Sequence, residues 1–548
     1  MTKLSRRNFL LGAGAAGMAM AMSAAGVAYA ADKKDEEDTD WASQVTEEIS
    51  CDILVVGGGF SGTAAAVQAG ENGDKVLLIE GQSALGGNGT GVECTNAYGL
   101  HPNSGEATLG EMVRYEADAQ SYTVNQMFIR DMISHAAENV QWLIDNGVQY
   151  EAIEDLDPAY LEMYKQGRYR AEFSFDYVYK GGAAGIGYFP FMKKKLAEYG
   201  VNLRLNTRAR ELVLDENGNV AGAYATDTYG DTIKINAKAV IVSTGGFGED
   251  AARMGKLGID LEDIRIIGTP GHYGDGVNMM INSGGIEHGA PAFGCTNIIG
   301  SAGPWGPIWD KLCWGGPCLW VDINGERFMN EDVGGQPFQN QLSRLPKKTA
   351  WQIFDSKWKD QIKYMDTGHG NVNWYVESGA DVPNGSYGKN AYISDEDNED
   401  GNTPGFLSYF EGEKALGVTA NSIAELAKLM EVDEAALTAT IERYNELAAA
   451  GNDEDFGKRA DRLFPVEEGP FYAYPLTDTV ILVNMGGLQT DVDFNVMDTE
   501  DEVIEGLYAV GNAQGGRFLV DYPLPAPGIS HGMALTHGML VGRILAQL

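Results

Sequence analysis

Basic residues are scarce: 40 lysines and arginines stand against 78 aspartates and glutamates, a formal net charge of -38 over 548 residues. Nucleic acid and anionic lipid would both be repelled, so neither is an expected partner. Cysteine is nearly absent too. The five cysteines, at 51, 94, 295, 313 and 318, are odd in number and share no repeated spacing. They offer no disulfide framework and no zinc or iron-sulfur ligand set. Cys313 and Cys318 either close a small disulfide outside the cytoplasm or are two buried thiols. No Cys-x-x-Cys-His occurs, which excludes a c-type haem attached to this polypeptide. Histidine is represented seven times. His531 and His537 do not share a helix face well, and Thr367-Gly-His-Gly370 lacks further ligands, so no metal is expected. Past the first thirty residues no run reaches the roughly 18 apolar residues of a spanning helix.

What is present is glycine, 71 of them, within a chain that is 44% hydrophobic. That composition and length predict an α/β protein of two or three lobes with many tight turns. The runs Asp32 to Asp40 and Asp395 to Asp400 read as solvated linker and loop. Arg6 and Arg7 precede a Gly/Ala-rich apolar stretch ending in Ala28-Tyr29-Ala30. This resembles a twin-arginine export signal cleaved after Ala30, an uncleaved anchor being the alternative. The periplasm or cell-envelope exterior is then the expected destination.

The stretch CDILVVGGGFSGTAAAVQAGENGDKVLLIEGQ, from Cys51, carries the most chemistry. An apolar strand at 53–56 runs into Gly57-x-Gly59-x-x-Gly62, a helix of small residues follows, and a second strand at 76–79 ends in Glu80. Gly57 makes the tight turn, Gly59 lets a pyrophosphate approach the backbone, and Gly62 packs helix on strand. Glu80 is placed to accept from ribose hydroxyls. The loop Gly86-Gly87-Asn88-Gly89-Thr90, a buried strand closing in Thr244-Gly245-Gly246, and Gly506-Leu-Tyr-Ala-Val-Gly511-Asn512 are further glycine turns. One extended cofactor touched from both ends of the chain fits FAD better than NAD.

These segments, with Asn206-Thr-Arg-Ala209, Gly271-His-Tyr-Gly-Asp275-Gly276, Gly325-Glu-Arg-Phe-Met-Asn-Glu331 and Asn484-Met-Gly-Gly487, resemble the flavoprotein subunits of the fumarate reductase and succinate dehydrogenase group. The resemblance implies a Rossmann-like FAD-binding domain interrupted by an α+β capping domain. The expected boundaries are signal 1–30, acidic linker 31–48, FAD domain 49–290 and 485–548, and cap 291–484. It further implies non-covalent FAD held by the residues above together with Phe60, Ser61, Gly81, Gln82, Ile529 and Ser530. In that family histidines and arginines hold a dicarboxylate. Here the corresponding slots read Gly335, Val483 and Pro523, so fumarate is not the expected substrate.

The segment Asp521-Tyr-Pro-Leu-Pro-Ala-Pro-Gly-Ile-Ser-His-Gly532 is similar to flavoenzymes that dehydrogenate 3-ketosteroids, with two extra residues between Tyr522 and Gly528. Tyr522 and the Gly528 amide are candidates to polarise a carbonyl, or Tyr522 packs beneath the cap. Glu331 belongs to a proton path or makes a local ion pair. Arg517 binds an acidic substrate group or a structural partner. The expected chemistry is hydride transfer to an activated C=C bond, possible in anaerobic respiration, with a separate cytochrome or quinol-linked electron donor. The alternatives are a ketosteroid-type dehydrogenase and a non-catalytic flavin electron relay.

Overall fold

A computed structural model describes residues 39–87, 94–96, 108–147, 150–152, 176–179, 188–257, 260–261, 265–266, 271–288, 293–294, 318–332, 336–361, 410–411, 415–477, 480–481, 483–519 and 529–547. These fall into two compact units, one within Met20–Leu261, Gly268–Gly294 and Val483–Leu548, the other within Glu262–Ile267 and Cys295–Leu482. The fold is mixed α/β with a parallel sheet at the heart of the first unit.

In the first unit the chain runs β1 (Val45–Ser50), β2 (Ile53–Val56), α1 (Phe60–Glu71), β3 (Val76–Ile79), α2 (Gln126–Asp145) and β4 (Asn202–Arg204). It continues through β5 (Arg208–Leu214), β6 (Val220–Thr226), β7 (Thr232–Asn236), β8 (Ala239–Val242), α3 (Asp275–Asn282), β9 (Asn495–Met497), β10 (Val503–Ala509) and α4 (Ile529–Ile544). One sheet has the order β9-β10-β8-β2-β3-β4. Its strands are parallel except for the edge strand β9. The quartets ILVV, VLLI and AVIV are buried at every position, as strands covered on both faces must be. A second sheet has the order β1-β7-β6-β5.

Small residues let two helices meet closely. A Cβ on Gly538 of α4 would stand 2.3 Å from Ser61 O, and one on Gly542 would stand 2.6 Å from Ala65 O. The α4 backbone therefore lies directly on α1, whose residues from Phe60 to Gly70 are all buried. The last helix ends at Ile544 and tightens into a 3-10 turn, Leu545–Gln547, a common way to satisfy terminal carbonyls.

The second unit carries a four-stranded sheet of Leu319–Asp322, Thr349–Phe354, Phe471–Thr477 and Val418–Ala420, in that order. The segments NSIAELAKLM and DEAALTATIERYNELAAA, whose apolar residues recur at spacings of three and four behind a polar cap and so predict a helix pair, form the helices Ile423–Met430 and Glu434–Ala450. Ser422 and Asp433 cap it by accepting from Glu425 N and Ala436 N, each cap worth about 1 kcal/mol. Leu426, Leu437, Ile441 and Leu447 pack on Leu319, Val321 and Ile353 of the sheet.

Part of the acid excess is structural. Asp215, Asp227, Asp322, Asp491 and Asp498 each accept from the backbone N–H groups two and four residues on, at 2.8 to 3.1 Å, closing a tight turn. Cys51 and Cys318 are buried free thiols, and burial pushes Cys318 up to about 12. Among the described residues no helix is long and apolar enough to cross a membrane, and no cluster of acid, histidine and cysteine side chains suits a metal.

Candidate functional site

Adjacent parallel strands end level: Val56 pairs with Val242, and Val242 with Ala509. Three turns therefore emerge side by side at the carboxyl edge of one sheet: Gly57–Gly59, Ser243–Gly246 and Val510–Asn512. Such an edge is where doubly wound sheets take ligands.

The first turn is fixed by backbone contact. Gly57 has φ 105°, and a Cβ there would lie 2.6 Å from Ser243 O. At Gly62 a Cβ would lie only 1.9 Å from Gly57 O. Ser243 Oγ sits 2.9 Å from both Val56 O and Gly57 O, tying the first two turns together. No side chain caps α1, so its first-turn N–H groups are not satisfied within the helix and suit a phosphate. Gly511 closes the third turn at φ 67°, where a Cβ would meet Ser61 Oγ at 2.3 Å.

Glu80 follows β3 and accepts from Gly58 N at 2.6 Å and Gln82 N at 2.7 Å. Burial raises its carboxyl, and these amides with that of Gly81 oppose the rise. Each oxygen keeps a further acceptor direction for a hydroxyl. A Cβ on Gly87 would stand 3.7 Å from Gly59 Cα, an ordinary contact distance. Asn88, Gly89 and Thr90 lie outside the described residues.

Ala209 is a buried residue of β5. Its neighbour Arg208 grips Asp275 through Nε and Nη2, at 2.7 and 2.8 Å. Asp275 also opens α3, where the helix dipole favours a carboxylate. Gly246 N donates to His272 Nδ1 at 3.3 Å, and burial lowers the pKa of that imidazole, keeping Nδ1 an acceptor. His272 thus orients backbone, as its place beside the Gly274-Asp-Gly turn suggests. Phe247 N donates to Asn484 Oδ1 at 2.7 Å, and Asn484 Nδ2 donates to Gly486 O at 3.0 Å. Asn484 clamps two turns that are 237 residues apart, a role no local pattern announces. Ala209 and Asp275 also line a groove of about 1310 Å³ bordered by Trp41 and Arg253. The glycine turns from 57 to 62, 243 to 246 and 510 to 512 do not line that groove.

The residues fit FAD. Glycine replaces side chains where a pyrophosphate would meet backbone, Glu80 retains acceptor capacity at the end of β3, and the buried Thr244 Oγ1 has no hydrogen-bond partner from the protein. Ile529 and Ser530 begin α4, and the next residue, His531, stacks on Phe60 at the start of α1 with ring centroids 5.3 Å apart. Tyr188 is core: fully buried, it stacks on Phe60 with ring centroids 4.0 Å apart.

Glu331 belongs to the second unit and is fully buried. Arg327 donates to both its oxygens, at 2.8 and 2.7 Å, and to both oxygens of Asp453, at 2.9 and 2.7 Å. Lys458, also fully buried in its side chain, lies 3.6 Å from Glu331 Oε2 and donates to Tyr444 Oη and Cys318 O. The local ion pair is therefore present. Tyr522, Gly528, Gly335 and Pro523 lie outside the described residues. Val483 contributes backbone pairing with Gly294.

A family model described as FAD binding domain matches residues 52–529. The chain is 27% identical over 514 residues to a vinyl phenol reductase of Lactiplantibacillus plantarum, covering 91% of this chain and 97% of that one. It is 26% identical over 491 residues to a fumarate reductase (cytochrome) of Shewanella frigidimarina, covering 88% and 75%. Among solved structures it is similar to a 3-ketosteroid-delta4-(5alpha)-dehydrogenase from Rhodococcus jostii, with TM-score 0.65, 21% identity, and 92% and 99% coverage.

Proposed function

Because this chain belongs to the FAD-binding-domain family and is an FAD-dependent oxidoreductase, we propose that it reduces a C=C bond activated by conjugation, in a substrate that is not fumarate. The sequence feature that carries this reading is the missing dicarboxylate clamp: by the resemblance, Gly335, Val483 and Pro523 fall in the slots where that family has cationic or imidazole groups. A charged hydrogen bond to a carboxylate is worth about 1.5–3 kcal/mol. Burying a carboxylate without such partners costs more still. A vinyl phenol carries no carboxylate, so the similarity to a vinyl phenol reductase supports the same reading.

Bound FAD supplies the hydride. The chain's own part is to hold the alkene, polarise its conjugated group and deliver a proton. We assign polarisation to the Tyr522 hydroxyl and the Gly528 amide, with the amides of Ile529 and Ser530 favouring negative charge at the start of α4. A path to solvent then reprotonates Tyr522. Export by the twin-arginine route, and a separate cytochrome or quinol-linked donor, complete the proposal. In the Tyr522→Phe variant, anaerobic reoxidation of reduced protein by the alkene is expected to slow by roughly 10²-fold, the usual share of a positioned proton donor. The bound-flavin spectrum stays the same. Undiminished reoxidation removes Tyr522 from the mechanism.

A further inference from the structure

Asn484 is 3% exposed, and both ends of its side-chain amide are used. Oδ1 accepts from Phe247 N at 2.7 Å and Nδ2 donates to Gly486 O at 3.0 Å, so turning the amide over would set donor on donor and acceptor on acceptor. The fit leaves no slack. A Cβ on Gly246 would lie 1.8 Å from Asn484 Oδ1, so only glycine fits there. Gly246 N and Phe247 N are thus both tied inward, to His272 and Asn484, while the buried Thr244 Oγ1 on the same turn has no partner from the protein.

The segment that carries Asn484 also lies on the exit of the third turn. A Cβ on Gly487 would stand 2.6 Å from Ala513 O, and Gly515 N donates to Leu488 O at 2.7 Å. Arg517 has a structural partner in that turn, its Nη2 donating to Asn512 Oδ1. Asn484 itself pairs with Phe293, and Val483 with Gly294. Those two short strands mark where the chain leaves the first unit, after Gly294, and where it re-enters, at Val483. One side chain therefore joins a cofactor turn to the ladder at the chain's crossing point.

We propose that Asn484 is a positioning residue for FAD and that it couples occupancy of the cofactor site to this ladder. The proposal rests on the FAD reading of the site. Oδ1 holds the second turn in the shape that FAD meets; by linkage, bound FAD stabilises the ladder that carries Asn484 by the same free energy. A residue serving stability alone would support apoprotein and holoprotein equally.

The test measures FAD affinity and amide hydrogen exchange in wild type, Asn484→Leu and Asn484→Asp. In wild type, saturating FAD is expected to slow exchange in the strands 293–294 and 483–484 by about tenfold. Leucine keeps the volume but leaves the buried Phe247 N without its acceptor, so FAD binding weakens roughly tenfold. At saturating FAD the ladder of that variant gains no protection, although residues 57 to 62 still do. Asn484→Asp, whose buried carboxyl favours its neutral form and so still accepts from Phe247 N and donates to Gly486 O, recovers most of both effects. Wild-type FAD affinity in a folded Asn484→Leu protein overturns the proposal. So does a wild-type ladder that bound FAD does not protect, and this measurement decides the matter if the leucine variant does not fold. Wild type that takes up no FAD refutes the cofactor reading itself, and the proposal with it.

Discussion

Gly62→Ala is expected to yield protein without flavin colour. The added methyl would sit 1.9 Å from Gly57 O and 2.4 Å from Ser243 Oγ, with Gly57 C at 3.1 Å. Its closest obstacle is backbone, which cannot rotate aside. To make room, α1 must move off the Gly57 turn, and that turn is braced by Ser243 against the neighbouring strand end. Overpacking of this kind costs about 1–3 kcal/mol and sometimes more. The displaced elements are the ones that would meet the pyrophosphate, so FAD affinity falls by at least roughly 10²-fold, equivalent to about 2.7 kcal/mol. Flavin absorbance per protein and thermal melting with and without added FAD measure both consequences. Gly59→Ala provides the contrast. There the nearest protein atom to the methyl is Gly86 O at 3.4 Å, so the apoprotein keeps its melting temperature while FAD binding weakens. Equal flavin content in Gly62→Ala and wild type would contradict this account of the turn.

Arg327→Met is expected to destabilise the second unit by about 3–5 kcal/mol, the range for removing one partner from a buried ion pair. The guanidinium bridges two carboxylates whose side chains are both 0% exposed, and it also stacks between Tyr444 and Phe456. Methionine keeps the volume but leaves Glu331 and Asp453 facing each other's charge, with Lys458 as the remaining cation at Glu331. The effect has a pH signature. Burial raises the Asp453 carboxyl, but the Arg327 hydrogen bonds and the amides of Lys458 and Phe456 outweigh it and leave it far below the usual carboxylate range. A carboxyl depressed in the folded state stabilises fully above its unfolded value of about 4 and loses that contribution as pH falls towards the folded value. Wild-type stability, followed by urea unfolding, should thus decline below about pH 4, and Arg327→Met should show a shallower acid limb from a lower plateau. A midpoint unchanged from wild type at neutral pH would show that the cluster contributes nothing net.

The nucleotide end was legible in the sequence because its information is local. Strand, glycine turn, small-residue helix, strand and acid occupy residues 53 to 80, and β2, α1, β3 and Glu80 stand where that spacing puts them. The helix pair was legible for the same reason: apolar spacing and a polar cap specify each helix without reference to the rest of the chain. Polar pairs across long separations left no such trace. Arg208 and Asp275 are 67 residues apart, Asn484 and Phe247 are 237 apart, and neither pair follows a periodic pattern. Arg327 and Asp453 are likewise 126 apart, which is why the sequence left Glu331 open as proton carrier or as ion-pair partner. The acidic composition excluded nucleic acid and anionic lipid as partners but did not announce that five aspartates close backbone turns, a use that depends on local geometry rather than on charge.

The most direct test of the proposed activity is to reduce the purified flavoprotein anaerobically with dithionite and mix it separately with fumarate, a cinnamate-like acid, a vinyl phenol and an enone, following the flavin band. The proposal predicts rapid recovery of oxidised flavin with at least one conjugated, non-dicarboxylate alkene and no recovery above buffer with fumarate. Rapid recovery with fumarate, and none with the other three, would contradict it.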